Sequence, residues 1–289
     1  MKDQAEELRR QIRRSMSGIQ AETIAVISGK GGVGKSNFAL NFAITLTRNR
    51  KKVLLFDLDI GMGNIDLLLG RSPDKTIVHY FTENCSFEQI IQNVKGLDYI
   101  AGGSGLNRIE KMNGDRVENL FRDLEKVIYS YDYLIFDFGA GISDELIRFL
   151  TGIEHIFVVV TPEPTSVMDA YSAIKVIQLT VPDKKFYLLG NRMKNKKEND
   201  QVLGRLQHVM LTFLNKECEI IGFLPEDPVI SRAVKNQIPF ILFKPNSQAA
   251  KNLRQLTGRF LLQNGQITAS KEENNFVEKL KHFLLGRQH

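Results

Sequence analysis

Only two cysteines occur in the 289 residues, Cys85 and Cys218. They lie far apart, and neither has a Cys or His at metal-ligand spacing. A disulfide framework and a thiolate metal site are therefore excluded, and both read as reduced thiols, core or surface, of a cytosolic protein. No apolar run approaches the roughly 20 residues that a membrane span needs. The N-terminus lacks the apolar segment of a secretory signal. It is Arg-rich as transit peptides are, but Asp3, Glu6 and Glu7 argue against that reading. Internal repeats are absent, and charge of one sign is in only mild excess. A net charge of +6 and a pI near 9.2 favour an anionic partner without choosing between nucleotide, nucleic acid and membrane surface.

What is present is ordinary globular material, 43% hydrophobic and 25% charged, enough for a sizeable core. Residues 2–16 read as a short helix with Ala5, Leu8, Ile12 and Met16 on one face, ended by Gly18. From Thr23 on, apolar strands alternate with amphipathic helices. Strands are expected at 23–28, 52–57, 97–101, 133–137, 155–160, 186–191 and 219–224. Helices are expected at 35–48, 115–128, 166–179, 198–216, 228–236 and 247–263. The strands are runs of Val, Ile, Leu and Phe without alternation, the pattern of strands buried on both faces. With helices between them they predict an α/β fold with a doubly wound, mostly parallel sheet. Ligands of such sheets bind at the carboxyl ends of the strands, so the residues following each strand are the ones to inspect. A polar stretch at 265–274 reads as a linker, followed by a last short helix at 275–286.

After the first strand comes G-K-G-G-V-G-K-S, residues 29–36. It satisfies G-x-x-x-x-G-K-[ST] between a strand and a helix, where a phosphate loop belongs. Gly29, Gly31, Gly32, Val33 and Gly34 form a turn whose backbone N–H groups face inward. Lys35 suits the β- and γ-phosphates, Ser36 suits Mg²⁺, and the helix that Ser36 and Asn37 open adds its dipole. Lys30 is the unusual element, because a lysine at the second position cannot easily reach its own loop's phosphates beside Lys35.

K-G-G-V-G-K-S resembles the deviant Walker A motif of the MinD/ParA family of P-loop ATPases. That resemblance implies that Lys30 reaches the nucleotide of a second subunit, making ATP the glue of a face-to-face homodimer and leaving a monomer with ADP. F-D-L-D-I-G-M-G-N-I-D, residues 56–66, resembles the family's first switch, with Asp57, Asp59, Asn64 and Asp66 at matching places. The family gives Asp59 the water-facing and metal-side role, whereas Asp57 reads equally as a turn cap or as chemistry. L-I-F-D-F-G-A-G, residues 134–141, is an apolar strand ending in Asp137, a Walker B carboxylate for Mg²⁺. Phe138-Gly139 departs from the family's second switch, and glycine in place of proline predicts a looser loop there. Asp144 and Glu145 read as N-terminal partners of the next helix. L-L-G-N-R (188–192) and G-F-L-P-E-D-P (222–228) resemble the adenine site, implying Asn191 and Arg192 from one strand end and Pro225, Glu226 and Asp227 from the next. Asn195-Lys196-Lys197-Glu198 is a near miss to a guanine motif, in a charged loop, and ATP/ADP is the expected nucleotide. T-P-E-P-T-S-V (161–167) is assigned to packing rather than chemistry.

The two ends carry further signals. Phe276, Val277, Leu280, Phe283 and Leu284 form one apolar stripe facing a partly basic edge. The stripe fits an interfacial membrane helix, as at the end of MinD, or a terminal helix docked on the domain. D-Q-A-x-x-L-R, residues 3–9, resembles the N-terminal motif of the family's flagellum-number branch, the FlhG (YlxH, FleN) type. The resemblance carries to Asp3, Gln4, Ala5, Leu8 and Arg9 the binding and stimulation of the GTPase FlhF. A solvated helical tail is the bland alternative. The expected organisation is then 1–20 partner-binding, 21–264 ATPase, 265–274 linker and 275–289 membrane helix. C-ring proteins of the FliM/FliY/FliN type and membrane lipid join the implied partners, with no specific nucleic acid, at the inner face of the cell membrane. Division-site placement of the MinD kind, DNA partition of the ParA kind and an iron–sulfur carrier are the rivals. The last is disfavoured because the two cysteines lack a paired context.

Overall fold

The computed structural model describes residues 14, 18–59, 63–83, 85–103, 114–182, 184–264 and 276–285, without the side chains of 114–118, 145, 148, 280 and 282–285. The expected N-terminal helix, apart from Arg14, and the 265–274 linker lie outside the described residues. Eight strands form one sheet: β1 (Glu22–Ile27), β2 (Val53–Leu58), β3 (Ile91–Val94), β4 (Leu97–Ile100), β5 (Tyr133–Phe138), β6 (His155–Val160), β7 (Lys185–Met193) and β8 (Cys218–Pro225). Their spatial order is β3-β4-β2-β5-β1-β6-β7-β8, and every pairing is parallel except β3 with β4. The expected doubly wound, mostly parallel α/β sheet is what the chain forms.

β1 is central because β5 and β6 flank it. Five of its six residues are buried, as are all six of β5 and of β6. Such strands must be covered on both faces. On one side helix α1 (Lys35–Arg48) lays Phe38 and Phe42 against Phe157, with Tyr187 and Phe260 completing the aromatic cluster. On the other side Phe136 and Phe138 of β5 pack on Phe149.

The expected strand and helix positions are met within a few residues. One strand was not expected. β3 reads I-Q-N-V and is only partly buried, joining β4 through Lys95 and Gly96 at φ 53 and 86. Two left-handed residues in a two-residue loop make the turn that matches hairpin twist, so K-G was the available signal. The short helices α2 (Ile65–Leu69), α3 (Ile77–Thr82), α4 (Phe87–Ile90) and α10 (Phe240–Phe243) also went unread, whereas α6 (Asp144–Phe149) is the helix expected to open at Asp144 and Glu145. The longer ones are α5 (Gly114–Ser130), α7 (Pro164–Thr180), α8 (Lys196–Leu214), α9 (Pro228–Lys235) and α11 (Gln248–Asn264).

The last helix, α12 (Phe276–Leu285), is seated on the domain through its first turn. Phe276 is fully buried, its ring 5.6 Å from Phe136 and 5.9 Å from Phe149, and Val277 is buried too. A side chain at Gly152 would come within 2.6 Å of the Phe276 ring, so the absence of one there lets the helix close down. The side chains of Leu280, Phe283 and Leu284 lie outside the described residues. No described helix is long and apolar enough to cross a membrane.

Candidate functional site

The carboxyl ends of β1, β2, β5 and β7 converge on one cleft, as the strand order requires when successive connections leave β1 in opposite directions. The loop from Gly29 to Gly34 leads into α1, with Lys35 and Ser36 buried in its first turn. Its shape is fixed by local contacts. The Ser28 hydroxyl donates to the Lys30 carbonyl at 2.6 Å, and Gly34 has φ 94, a left-handed value that suits glycine. A Cβ on Gly34 would lie 2.4 Å from Asn191 Nδ2. That near contact has a purpose: Asn191 Nδ2 donates to the Val33 carbonyl at 2.6 Å, while its Oδ1 accepts from the Arg192 amide. Arg192, itself left-handed at φ 58, donates from Nη2 to the Gly32 carbonyl at 2.8 Å. The end of β7 is thus bonded twice to the glycine loop, and Asn191 keeps one N–H and one lone pair for a base.

The other side of the expected adenine region is more committed. The Glu226 amide donates to the Met193 carbonyl at 3.0 Å. Both oxygens of Asp227 accept backbone amides, from Val229 at 2.9 Å and Ala249 at 3.2 Å. Asp227 is the cap of α9 and its tie to α11, which leaves backbone carbonyls there as the groups open to a ligand.

Asp137, next to last in β5, is fully buried, and neither oxygen makes a hydrogen bond of normal geometry. Burial pushes its carboxyl up to about 8, against the nearby Ser36 hydroxyl and Lys35 ammonium, which favour the charge. An orphaned carboxylate beside a serine hydroxyl fits a hydrated Mg²⁺. Among the described residues no cluster of three His, Cys, Asp or Glu could hold a metal alone. The carboxylate and hydroxyl suit an ion that keeps waters and takes its other ligands from nucleotide phosphates.

Asp57 is buried, and its carboxylate accepts from the Asp59 amide and from the Ile65 amide, each at 3.1 Å. It therefore pins both ends of the first-switch loop, and burial raises its carboxyl to about 6. Asp59 Oδ2 accepts from Asn64 Nδ2 at 3.0 Å, while Oδ1 lies 3.0 Å from where a Cβ on Gly139 would be. Glycine at 139 therefore makes room for Asp59 between the two switches, while the neighbouring Phe138 faces the core.

Lys30 points away from its own phosphate cradle. Its Nζ is 2.5 Å from Glu163 Oε2 and 3.2 Å from Thr165 Oγ1. Glu163 was read as packing and is instead the lysine's partner. A glutamate in place of a short polar cap at the head of α7 was the signal that could have found it. Asp3, Gln4, Ala5, Leu8 and Arg9 lie outside the described residues. Arg14 is the described root of that segment, bonded to Asp132 at 2.5 Å near the start of β5, at the end of the sheet opposite the cleft.

Comparison with known proteins agrees with this geometry. The ParA family model, described as an NUBPL iron-transfer P-loop NTPase, matches residues 20–261. The flagellum site-determining protein YlxH of Helicobacter pylori is 31% identical over 90% of each chain. The antiactivator FleN of Pseudomonas aeruginosa is 29% identical over 79% of this chain and 82% of its own. The structure of the septum site-determining protein MinD of Pyrococcus horikoshii with Mg-ADP superposes with a TM-score of 0.68 at 21% identity, over 86% of this chain and 99% of that one.

Proposed function

Because the chain belongs to the ParA family of P-loop ATPases, in its MinD-like, FlhG-type branch, we propose that it is an ATP-driven switch that sets the number or placement of flagella. One observation carries the switch part: Lys30 lies in the phosphate loop yet turns its ammonium outward to Glu163 rather than into its own cradle. A cation turned outward in this way would be available to a second subunit's triphosphate, which would make association report the nucleotide state. The flagellar part rests on the names of the two relatives above.

Within each subunit, Lys35, Ser36 and the loop amides hold the phosphates, and Asn191 with backbone near Pro225 and Glu226 frames the adenine. Ser36 and Asp137 would hold Mg²⁺ and its waters, with Asp59 nearby. The ion would supply neutralisation of phosphate charge there. Asp59, steadied by Asn64 and by the Asp57 clamp, accepts a hydrogen bond from the attacking water and aims it. Hydrolysis removes the group that joins the subunits, and the ADP-bound monomers part.

The output is a timed set of contacts. Residues 3–9 would bind and stimulate FlhF, C-ring proteins would take the folded domain, and α12 would meet lipid. Phe276 and Val277 support a docked helix in the conformation described, so lipid binding requires this turn to leave the domain. Two weak helices on one dimer bind together through effective concentration. Lipid flotation with ATP or ADP tests the reading, using wild type, Lys30→Ala and a chain truncated after residue 274. ATP-dependent flotation of wild type alone is expected, and equal flotation of all three would overturn it. Acceleration of FlhF GTP hydrolysis by a peptide of residues 1–20 tests the flagellar branch. No acceleration returns the reading to division-site placement.

A further inference from the structure

We propose that the helical layer made of α1, α9, α10 and α11 is a second lipid contact, which meets anionic headgroups when α12 enters the membrane. The inference deepens the lipid part of the function proposed above and rests on it.

Charge is unevenly laid out along the chain. Residues 35–51 and 228–264, which build this layer, hold ten Lys and Arg and no Asp or Glu. Against a total of +6, the rest of the chain is net −4. The opposite layer is mixed, with Asp123 and Glu125 on α5, Asp169 on α7, and Glu198 and Asp200 on α8. α1 and α11 pack on each other and on the sheet through Phe38, Phe42, Leu253 and Phe260, so the residues turned from that core meet solvent. Arg48, Arg50, Lys244, Lys251, Arg254 and Arg259 are exposed, and none has an ion-pair partner among the described residues. Arg254 and Arg259 donate to the backbone carbonyls of Pro245 and Ile221, which leaves their charge unmatched. Asp66 of α2 and Glu219 of β8, the latter bonded to Gln263, are carboxylates at the border of the layer.

Two features favour a lipid surface over another polyanion. In the last turn of α11, Leu262 is 75% exposed, an apolar tip on a helix that carries three cations. At headgroup depth such a tip is buried while Lys and Arg stems reach up to the phosphates; along a nucleic-acid backbone it would stay in water. The second feature is connectivity. Residues 265–275 join α11 to α12, and 11 residues span at most about 40 Å. Once Phe276 leaves its seat on Phe136 and Phe149, the apolar stripe of α12 and the basic layer can meet one plane. A helix of ten residues holds lipid weakly by itself, and a polybasic face is the kind of second signal that makes such binding stable. Each Lys or Arg close to an anionic leaflet adds about fivefold to partitioning. The layer covers a flank of the sheet, whereas the cleft lies at the strand ends, so cleft-to-cleft association leaves it uncovered.

The test is co-sedimentation of the full chain, with a non-hydrolysable ATP analogue, on phosphatidylcholine vesicles with and without phosphatidylglycerol, over a salt series. Wild type and a chain truncated after residue 274 are compared with Leu262→Gln, Arg48→Gln/Lys244→Gln/Lys251→Gln and the charge-keeping Arg48→Lys/Lys244→Arg/Lys251→Arg. The three cations are exposed and unpaired, so thermal melting and lipid-free ATP turnover should not change. Phosphatidylglycerol and low salt should strengthen wild-type partitioning. The triple glutamine variant should lose about tenfold to hundredfold of it, the charge-keeping variant should match wild type, and Leu262→Gln should fall by a smaller factor. A triple glutamine variant that partitions like wild type, beside a truncated chain that stays in solution, overturns the second contact and leaves α12 as the anchor. Equal losses in the glutamine and charge-keeping variants overturn it as well. Wild type that sediments with neither vesicle overturns the lipid reading itself. Wild-type binding to duplex DNA at the same salt, lost in the triple glutamine variant while its vesicle partitioning persists, reassigns the layer to nucleic acid.

Discussion

Without nucleotide, Asp137 should make the protein less stable as pH rises. Its carboxyl is fully buried and pushed up to about 8 from an ordinary value of 3.8, with burial the main cause. Between those values the folded chain keeps a proton that the unfolded chain has released. The unfolded state therefore binds fewer protons, and stability falls with rising pH until the folded carboxyl ionises near 8. From about pH 5 to about pH 7.5 the full linkage of one proton amounts to about 3.4 kcal/mol. The Lys35 ammonium and water entering an open cleft reduce the effect, and about 1–3 kcal/mol is expected. Asp137→Asn removes the ionisation while keeping the shape. Urea unfolding of both proteins, nucleotide-free at the two pH values, gives the comparison. The wild type should lose about 1–3 kcal/mol more than the variant on going from the lower to the higher pH. Comparing slopes cancels the fixed cost of the new amide hydrogens. It also removes most of the contribution of Asp57, whose carboxyl at about 6 titrates in both proteins, leaving only its charge interaction with Asp137 in the difference. Parallel slopes would refute the reasoning.

Three further outcomes are expected. Asp59→Ala should lower ATP turnover by about a hundredfold or more while leaving ATP-analogue binding intact, as phosphate release and nucleotide titration would show; loss of binding instead would make Asp59 a ligand rather than a water-aiming group. Gly34→Ala imposes a Cβ at φ 94 and 2.4 Å from Asn191 Nδ2, and should cost about 1–3 kcal/mol of stability together with weakened nucleotide binding. Phe276→Ala empties a fully buried ring site, and should weaken docking of α12 by about 3–5 kcal/mol, read as faster proteolytic release of the C-terminal helix.

The sheet was legible because β1, β5 and β6 are uninterrupted apolar runs, and only burial on both faces explains such runs. The edge was not, since I-Q-N-V of β3 needs only one partner and carries two polar residues. At the site, Lys35 and Ser36 were picked out by the spacing of the glycine loop after β1, Asp137 by an apolar run ending in a carboxylate, and Asp59, just past β2, by resemblance to the family's first switch. Glu163 was missed because its role depends on Lys30, more than 130 residues away in the chain and joined to it only by the pairing of β1 with β6. Asp57 could not be divided between cap and chemistry from sequence, and its two amide bonds identify a clamp on the switch loop. Gly139 was expected to loosen the second switch, whereas the fold shows it clearing space for Asp59. Periodicity showed that α12 has an apolar side. It could not say whether lipid or Phe136 and Phe149 would meet that side, because both are equally free of water.

Phe136 and Asp137 are consecutive on β5, so they project to opposite faces of the same strand. One touches the ring of Phe276 and the other ends in the nucleotide cleft. Pulling Phe276 out of its seat strips the backing from the strand that carries Asp137. Any coupling between the two would act in both directions, the strand's tip on the helix as much as the helix on the tip. A single pleat of backbone separates the seat of the last described helix from the carboxyl of Asp137.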